Sequence, residues 1–435
     1  MSPPHGGRRR CWPLVLLVAA TGVARAADEY SFDASQYEKK PYEFGGYVQL
    51  EQDAFTLNRS GALYKLGYYG EPQRSDLDQT LGILELTGKL RHGIASFDFR
   101  TYSSAQTNEL ASDHTNLLYE GAFSLRPNAG VTLEAGKRAL SWGKGYAWNP
   151  IGFVQRPKDP NDPQLAREGY VMADGDFIRN PGGALQTLAL TPVVVPVSSR
   201  VNGDFGSTGH ANPAFKLYAL YRDTDLDFAW QGKGSRPARF GFDFAHNLKT
   251  NFEVHGEWAR ILQFPKLVTD ASGHASTEVL NATSYLLGLR YLTQGNATCI
   301  AELYHNGAGY SRSESDSFYR LVDAAFAQAP APSMLLQRAL ALGDGPYARP
   351  FAGRNYAYFR VQQQDALGIV YFQPALFALA NLDDGSFQVT PELDYTGFKN
   401  LELRFRVYML HGGELTDFGE KQNTRKVELY ARLYF

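Results

Sequence analysis

The C-terminal stretch Val427-Glu428-Leu429-Tyr430-Ala431-Arg432-Leu433-Tyr434-Phe435 decides the fold. Its odd-numbered positions are apolar, whereas its even-numbered positions are charged or tyrosine. Because successive side chains of a strand point to opposite faces, this alternation predicts a strand with one apolar and one polar face. A strand of this kind suits a transmembrane barrel, in which the outer face meets lipid and the inner face meets water.

The same alternation recurs at residues 240–244, 252–258 and 401–407. A soluble β-sandwich also alternates, but its strands are usually about five or six residues long. The segments of this chain run about 9–13 residues, which crosses a bilayer at a tilt, and tight turns alternate with long loops. We therefore predict an all-β fold, a transmembrane antiparallel β-barrel of 18 strands over residues 44–435, with 16 strands as the alternative. The weakest predicted strand is 169–179, which keeps the strand number even, and one of the later strands is predicted at 366–377.

The N-terminus carries an export signal. Arg8, Arg9 and Arg10 precede an apolar run, and Ala24-Arg25-Ala26 follows it. This order predicts a secretory signal peptide over residues 1–26, cleaved near Ala26, in preference to a buried helix. Residues 27–43 are then expected to form a periplasmic segment before the barrel, and the expected location is the cell outer membrane.

Composition excludes several function classes. The chain has 435 residues, with 43 Lys plus Arg against 45 Asp plus Glu. Four of these basic residues leave with the signal peptide, so the remainder is mildly acidic, with 39 basic residues. No basic stripe follows, which argues against nucleic-acid binding. The two cysteines cannot form a disulfide framework, and no G-x-S-x-G, H-E-x-x-H or C-x-x-C-H motif occurs. We expect no enzyme and no cofactor.

The signal peptide, the amphipathic strands and the terminal Phe435 resemble those of Gram-negative outer-membrane β-barrels of the porin-like channel type. In these proteins the barrel-assembly machinery reads a terminal aromatic strand, so the resemblance implies that machinery and outer-membrane lipid as partners. The stretch Trp142-Gly-Lys-Gly-Tyr-Ala-Trp148-Asn-Pro150 is similar to a W-G-x-G…W-N-P stretch of some porin-like barrels, without indicating one subfamily.

If the apolar faces meet lipid, the opposite faces line a lumen, and their charges of both signs indicate that it is wet. The alternative is that these ions pair across strands and hold the register. Glu253, His255 and Glu257 share a face, but one strand alone does not converge on a metal, so we predict no metal site. The predicted substrate-binding or pore-lining residues are Asp98, Arg100, Glu134, Arg138, Glu253, His255, Glu257, Arg290, Glu302, Arg360, Glu402, Arg404 and Arg406.

The loop at residues 143–168 is long and contains prolines that stiffen it. It follows the fifth strand, as does the inward-folded loop of general porins, so we predict that it narrows the pore and offers aromatic faces to solutes. The alternative is a stiff loop at the rim. Its predicted constriction residues are Trp142, Lys144, Tyr146, Trp148, Arg156, Lys158 and Asp159.

The longest connection, residues 309–353, contains two amphipathic helical patterns. The first is predicted to be capped by Ser315 or Asp316, and the second to run from Ser333 to Gly343. We expect these short helices to lie on an extracellular loop, as a partial lid over the barrel mouth or, second, as a partner-binding site.

These features favour a porin-like channel for diffusion of small hydrophilic solutes. The alternatives are a barrel scaffold for a surface or redox partner, and a barrel enzyme that acts on lipid or sugar through His255 or His305. The residues do not indicate the solute or the oligomeric state.

Overall fold

The computed structural model describes residues 40–327 and 333–435. They form one closed antiparallel sheet of 18 strands, in which each strand pairs with its neighbours in sequence and β18 pairs with β1. The predicted barrel and its strand number are confirmed. The predicted signal peptide and residues 27–39 lie outside the described residues. The strands are β1 Tyr42–Leu57, β2 Asp76–His92, β3 Ala95–Asn108, β4 Ser112–Asn128, β5 Val131–Arg138, β6 Tyr170–Arg179, β7 Leu185–Val197, β8 His210–Tyr221, β9 Thr224–Gln231, β10 Arg239–Lys249, β11 Phe252–Thr269, β12 Ala275–Leu292, β13 Ala297–His305, β14 Asn355–Gln363, β15 Phe372–Asn381, β16 Phe387–Phe398, β17 Leu401–His411 and β18 Asn423–Tyr434.

The outer wall of the barrel is apolar and the inner wall is polar. On β18, Leu429 and Leu433 are 55% and 52% exposed, whereas Glu428 and Tyr430 are 5% and 3% exposed. The register pairs Asp53 of β1 with Glu428, so the polar faces of neighbouring strands stay on the same side. The period of two seen in the sequence therefore separates an apolar exterior from a charged lumen.

The two ends of the barrel differ in their connections. At one end, called the short-turn end, tight turns such as 93–94 join the strands. At the other, the long-loop end, lie the connections 139–169 and 306–354 and three helices: α1 Ala62–Gly67, α2 Arg312–Ala327 and α3 Met334–Gly343. None of the helices in the described part of the chain is long and apolar enough to cross a membrane. The sequence did not indicate α1.

The cap predicted for α2 is wrong, whereas the start predicted for the second helix at Ser333 and its end at Gly343 agree with α3. Helix α2 begins before Ser315, because Ser311 and Glu314 form a capping box. The Glu314 N–H donates to Ser311 Oγ at 3.4 Å, and the Ser311 N–H donates to Glu314 Oε2 at 2.6 Å. In α3, the Leu336 N–H donates to Ser333 Oγ at 3.1 Å.

Two predicted strands have different outcomes. The weak strand predicted at 169–179 exists as β6, Tyr170–Arg179. The strand predicted at 366–377 instead begins at Phe372, because the preceding residues turn. Asp365 and Leu367 have left-handed backbones with φ of 47° and 59°, and the Tyr371 N–H donates to Asp365 Oδ1 at 2.6 Å.

Candidate functional site

Residues 139–169, between β5 and β6, form an inner loop that folds into the lumen. Its tip reaches strands far from its own: Gln388 Nε2 donates to Asn161 Oδ1 at 2.7 Å, and Arg406 Nη1 donates to Asp162 Oδ2 at 3.2 Å. The predicted boundaries, 143–168, lie within this loop. The loop thus crosses part of the lumen between the two ends of the barrel.

Glu257 of β11 anchors the start of the inner loop. Its Oε1 accepts the Gly145 N–H at 2.6 Å and Asn149 Nδ2 at 2.8 Å, and its Oε2 accepts the Ile151 N–H at 3.2 Å. The residue is 3% exposed. Hydrogen bonds to a charged group contribute about 1.5–3 kcal/mol each, so this carboxylate fixes the loop backbone against the wall.

Glu302 of β13 forms a second anchor. It accepts the Tyr146 N–H, the Ala147 N–H at 2.9 Å and, through Oε1, His255 Nε2 at 2.9 Å. Glu302 and His255 are 1% and 2% exposed. Both residues, like Glu257, were predicted to line the pore, but their polar atoms bind the inner loop and each other.

The W-G-x-G stretch allows the loop backbone to approach these anchors. Gly143 has a φ of +98°, and a Cβ there would lie 2.6 Å from Glu257 Oε1. Since a larger residue would displace the carboxylate, glycine is required at this close approach. The motif therefore builds a backbone cradle for a buried glutamate.

The tryptophans of the inner loop are buried in apolar clusters that loop and wall residues form together. Trp142 is 2% exposed and packs with Ile151 and Phe153. Trp148 is 8% exposed and stacks on Tyr304 with ring centroids 5.0 Å apart. The expectation that these aromatic faces guide solutes is wrong, because protein atoms cover both rings.

Burial shifts the pKa values of two charged residues of the inner loop. Lys158 donates to the carbonyl oxygens of Gly145 at 2.6 Å and Tyr146 at 3.1 Å. Burial lowers the pKa of the Lys158 amine and raises the pKa of the Asp159 carboxyl. Arg156 pairs with Glu168 at 2.8 Å. Of these three predicted constriction residues, Arg156 and Lys158 brace the loop, and Asp159 stands at its tip.

A vestibule lies at the long-loop end, above the inner loop. It is a cavity of about 740 Å³ with apolar walls from α1 and α3, such as Leu66 and Leu340, and polar walls that include Gln388 and Lys426. Helix α3 therefore lines the mouth of the barrel, on the side where a lid was expected.

A smaller cavity of about 240 Å³, called the passage, lies between the tip of the inner loop and the wall. Leu81, Ile83 and Leu165 contribute apolar lining, and the rest consists mainly of ionic side chains of both signs and of tyrosines. They are Glu51, Glu85, Asp159, Asp162, Arg406, Lys426, Glu428, Arg432, Tyr47, Tyr102, Tyr119, Tyr408 and Tyr430. Asp159, Asn161, Tyr408 and Lys426 line both the vestibule and the passage.

The remaining predicted residues form separate groups on the lumen wall. Asp98, Arg100, Glu134 and Arg138 border a cavity of about 580 Å³ towards the short-turn end. A second cavity of about 400 Å³ is bordered by Lys144, Tyr146, Glu253, Arg290 and Arg360. Glu402 and Arg404 pair with each other at 2.9 Å, and Arg406 is the one member of the predicted pore-lining set that borders the passage.

The predicted site residues include Asp159 but leave out the tyrosines and the wall carboxylates Glu51, Glu85 and Glu428 of the passage. Tyr430 and Tyr434 share the polar parity of Glu428 and Arg432 in the C-terminal strand, so their inward orientation was indicated. The sequence did not indicate which part of the lumen stays open, because this depends on where the tip of the inner loop contacts the wall.

No protein-family model matches the chain, and no curated protein matches it. Among solved structures, OccK5 (OpdH) of Pseudomonas aeruginosa is similar over 90% of this chain and 97% of that chain, with a TM-score of 0.51 and 10% identity. The chain has a porin-like fold. A triple mutant of the Rhodopseudomonas blastica porin aligns over 91% of this chain and 100% of that chain, with a TM-score of 0.43 and 11% identity.

Proposed function

We propose that this porin-like barrel is an outer-membrane channel through which small hydrophilic solutes diffuse between the inner loop and the wall of β17, β18 and β1 to β4. The observation that carries the proposal is the junction of the two cavities, because Asp159, Asn161, Tyr408 and Lys426 line both the vestibule and the passage. The two cavities are therefore neighbours, and in the proposed route a solute moves from the vestibule into the passage.

The lining of the passage supports hydrophilic cargo. The wall carries Arg406, Lys426 and Arg432 beside Glu51, Glu85 and Glu428, and the loop tip carries Asp159 and Asp162. Charges on facing surfaces create a transverse field, and pores use such charged rings to select what passes. Tyrosine hydroxyls add neutral hydrogen-bonding groups along the same surface.

The proposal includes the location and partners of the protein. The half-exposed leucines of the outer wall suit contact with outer-membrane lipid. Export by a signal peptide cleaved near Ala26, in a Gram-negative cell, and recognition of the strand ending at Phe435 by the barrel-assembly machinery are parts of the proposal.

We propose no enzymatic activity. His255 is buried and bonded to Glu302 at 2.9 Å, and His305 Nδ1 pairs with Asn355 Oδ1 at 2.7 Å. The inner loop also occupies lumen space that a sheathed redox partner would need. The channel thus accounts for the arrangement better than the enzyme or the scaffold.

Planar-bilayer recording tests the channel with a matched pair of variants. Ala166 borders the passage, so Ala166→Trp should lower single-channel conductance by narrowing it. Ala105 is exposed on β3, so Ala105→Trp adds the same bulk outside the lumen and should leave conductance unchanged. Folded barrels, verified by heat-modifiable gel migration, that give no conducting steps would contradict the proposal.

A further inference from the structure

The cavity of about 400 Å³, called the sub-loop cavity, lies between the inner loop and the short-turn end of the barrel. Gly145 and Lys158 of the inner loop border it on one side, and strands β11 to β14 form its wall. Thr298, the second residue of β13, and Gln362, near the end of β14, place it close to the tight turns. None of the described residues that line it also lines the vestibule or the passage. The sub-loop cavity is therefore separate from the proposed solute route.

Positive charge dominates the lining of the sub-loop cavity. Its cationic side chains are Lys144, Lys158, Arg290 and Arg360, and Glu253 is the one carboxylate among the described lining residues. The passage has the opposite balance, because its carboxylates outnumber its cationic side chains. The lumen thus separates an acidic compartment beside the loop tip from a basic compartment beneath the loop.

Two of the four cations already have acidic partners outside the sub-loop cavity. Lys144 Nζ lies 3.2 Å from Asp227 Oδ2, and Arg360 Nη2 donates to Glu392 Oε1 at 2.8 Å. These two ion pairs hold the side chains in place but leave the excess of positive charge to the other two cations.

Lys158 and Arg290 form no ion pair within the described part of the chain. The Lys158 ammonium donates to two carbonyl oxygens of the loop, and an ammonium has a third N–H donor. Arg290 is exposed in the cavity. The register places it opposite Glu253, but the ion pair of that carboxylate is with His255, at 3.4 Å. The cavity therefore has two cations without a counter-charge.

Arg290 and Arg360 lie in one row of the sheet, because both pair in register with Ile300. Two strand spacings separate their Cα atoms by about 10 Å, a distance across which two arginine side chains can converge on one anion. Arg360 is 8% exposed, and its Nε has no hydrogen-bond partner among the described residues. A buried N–H without an acceptor is costly, so an acceptor oxygen in the cavity is favoured.

We propose that Lys158, Arg290 and Arg360 form a binding site for a phosphate group, carried by inorganic phosphate or by a small phosphomonoester. Guanidinium groups match phosphate oxygens geometrically, and a tetrahedral group presents oxygens to the loop and to both strands at once. Phosphate carries up to about two negative charges at neutral pH, which balances the two cations without a counter-charge. The site goes beyond the channel, and a bound phosphate joins the inner loop to β12 and β14.

Isothermal titration of the folded barrel in detergent, in a phosphate-free chloride buffer, tests the site with inorganic phosphate and with glycerol phosphate. The wild type should bind a single phosphate group per barrel, and the tighter ligand identifies the free ion or the ester as the source. Arg290→Gln should weaken binding about ten-fold. Arg100→Gln is the matched control, because it removes a guanidinium from the other cavity towards the short-turn end, and it should keep the affinity. Heat-modifiable migration verifies that each variant is folded.

Proteolysis of the inner loop gives a second measurement. Because Lys158 belongs to the loop and the two arginines belong to the wall, phosphate should slow cleavage within residues 139–169 of the wild type. The Arg290→Gln variant should show no such protection at the same phosphate concentration. Lys158→Gln should weaken phosphate binding in the titration as Arg290→Gln does.

Each outcome decides the inference. A folded wild type that does not bind phosphate, or an Arg290→Gln variant that binds it as tightly, would overturn the site. Loss of binding in Arg100→Gln alone would assign the phosphate to the other cavity and overturn it as well. Acetate that binds as tightly as phosphate would overturn the phosphate assignment in favour of a carboxylate. Since titration requires no conductance, a conducting barrel that binds no phosphate would contradict this inference and leave the channel intact.

Discussion

The inner loop and the outer helices are two insertions at the same end of the barrel, yet they are held by different forces. The inner loop hangs from two wall carboxylates, Glu257 and Glu302, which accept its backbone N–H groups. The outer helices α1, α2 and α3 pack around an apolar core in which Phe318, Leu321 and Val322 are 0% exposed.

The difference follows from the surroundings of each insertion. The lumen wall is rich in charged residues, so its carboxylates can bond the backbone of the inner loop and fix its direction. Above the mouth, the helices meet few wall side chains, so they bury their own apolar faces against one another. The backbone at the start of the inner loop, residues 145–151, is therefore fixed by two carboxylates, whereas the helices are held by many apolar contacts.

The largest expected effect comes from removing the inner loop. Deleting residues 146–163 should raise single-channel conductance several-fold, because the tip that bounds the passage is lost. Replacing residues 312–343 with a flexible Gly/Ser linker should change conductance less, since the described residues of this stretch, 312–327 and 333–343, do not line the passage. Planar-bilayer recording measures both variants, and an unchanged conductance after the first deletion would show that the loop does not limit the pore.

The next effect comes from weakening one anchor. Glu257→Gln removes the charge that three donors share, and we expect about 2–4 kcal/mol weaker holding of the loop. The open-channel current should become noisier, and protease should cut within 139–169 more readily.

Glu253→Gln is the matched control for that anchor. Glu253 lies on the same face of β11, and its ion-pair partner is His255 at 3.4 Å, with no bond to the loop. The open-channel current noise of the Glu253→Gln variant should equal that of the wild type. Equal noise in the Glu257→Gln variant would mean that the loop is held elsewhere.

A substitution in the core of the helices should lower local stability by a comparable amount. Its effect on conductance should be smaller. Leu321→Ala leaves a cavity in their core and should cost about 2–5 kcal/mol of local stability. Limited proteolysis should then cut α2 faster, while conductance and heat-modifiable migration stay unchanged. Met334→Ala, at a side chain that is 69% exposed, should leave proteolysis unaltered. A clear change in conductance for Leu321→Ala would show that the helices position the passage.

Local pattern was enough to predict the barrel, because each strand repeats the same alternation. The parity of Leu429 and Leu433 against Glu428 and Tyr430 indicated inside and outside, and the exposures agree. The start of β15 was misplaced, because the left-handed turn at Asp365 and Leu367 leaves no mark on the alternation.

The candidate site was less predictable, because it depends on contacts between residues far apart in sequence. Glu257 and Glu302 have the inward parity of pore-lining residues, yet the loop backbone occupies their oxygens. Conversely, Glu51 and Glu428 meet only because β1 closes onto β18. The alternation predicts which face of a strand points inward. It does not predict which of the inward residues stay in contact with water.

The smallest expected effect concerns the N-terminal end of α3. Ser333→Ala removes the cap of α3, whose Oγ accepts the Leu336 N–H at 3.1 Å, and should cost about 1 kcal/mol locally. Ser317 instead bonds a carbonyl of its own helix, Ser313 O, at 3.0 Å, so Ser317→Ala should be nearly neutral, since alanine favours a helix interior. Hydrogen exchange should speed up in the first turn of α3 for Ser333→Ala and not elsewhere. Faster exchange in α2 as well would show that the packing of the helices depends on a single contact. The contrast between the helices and the inner loop would then be wrong.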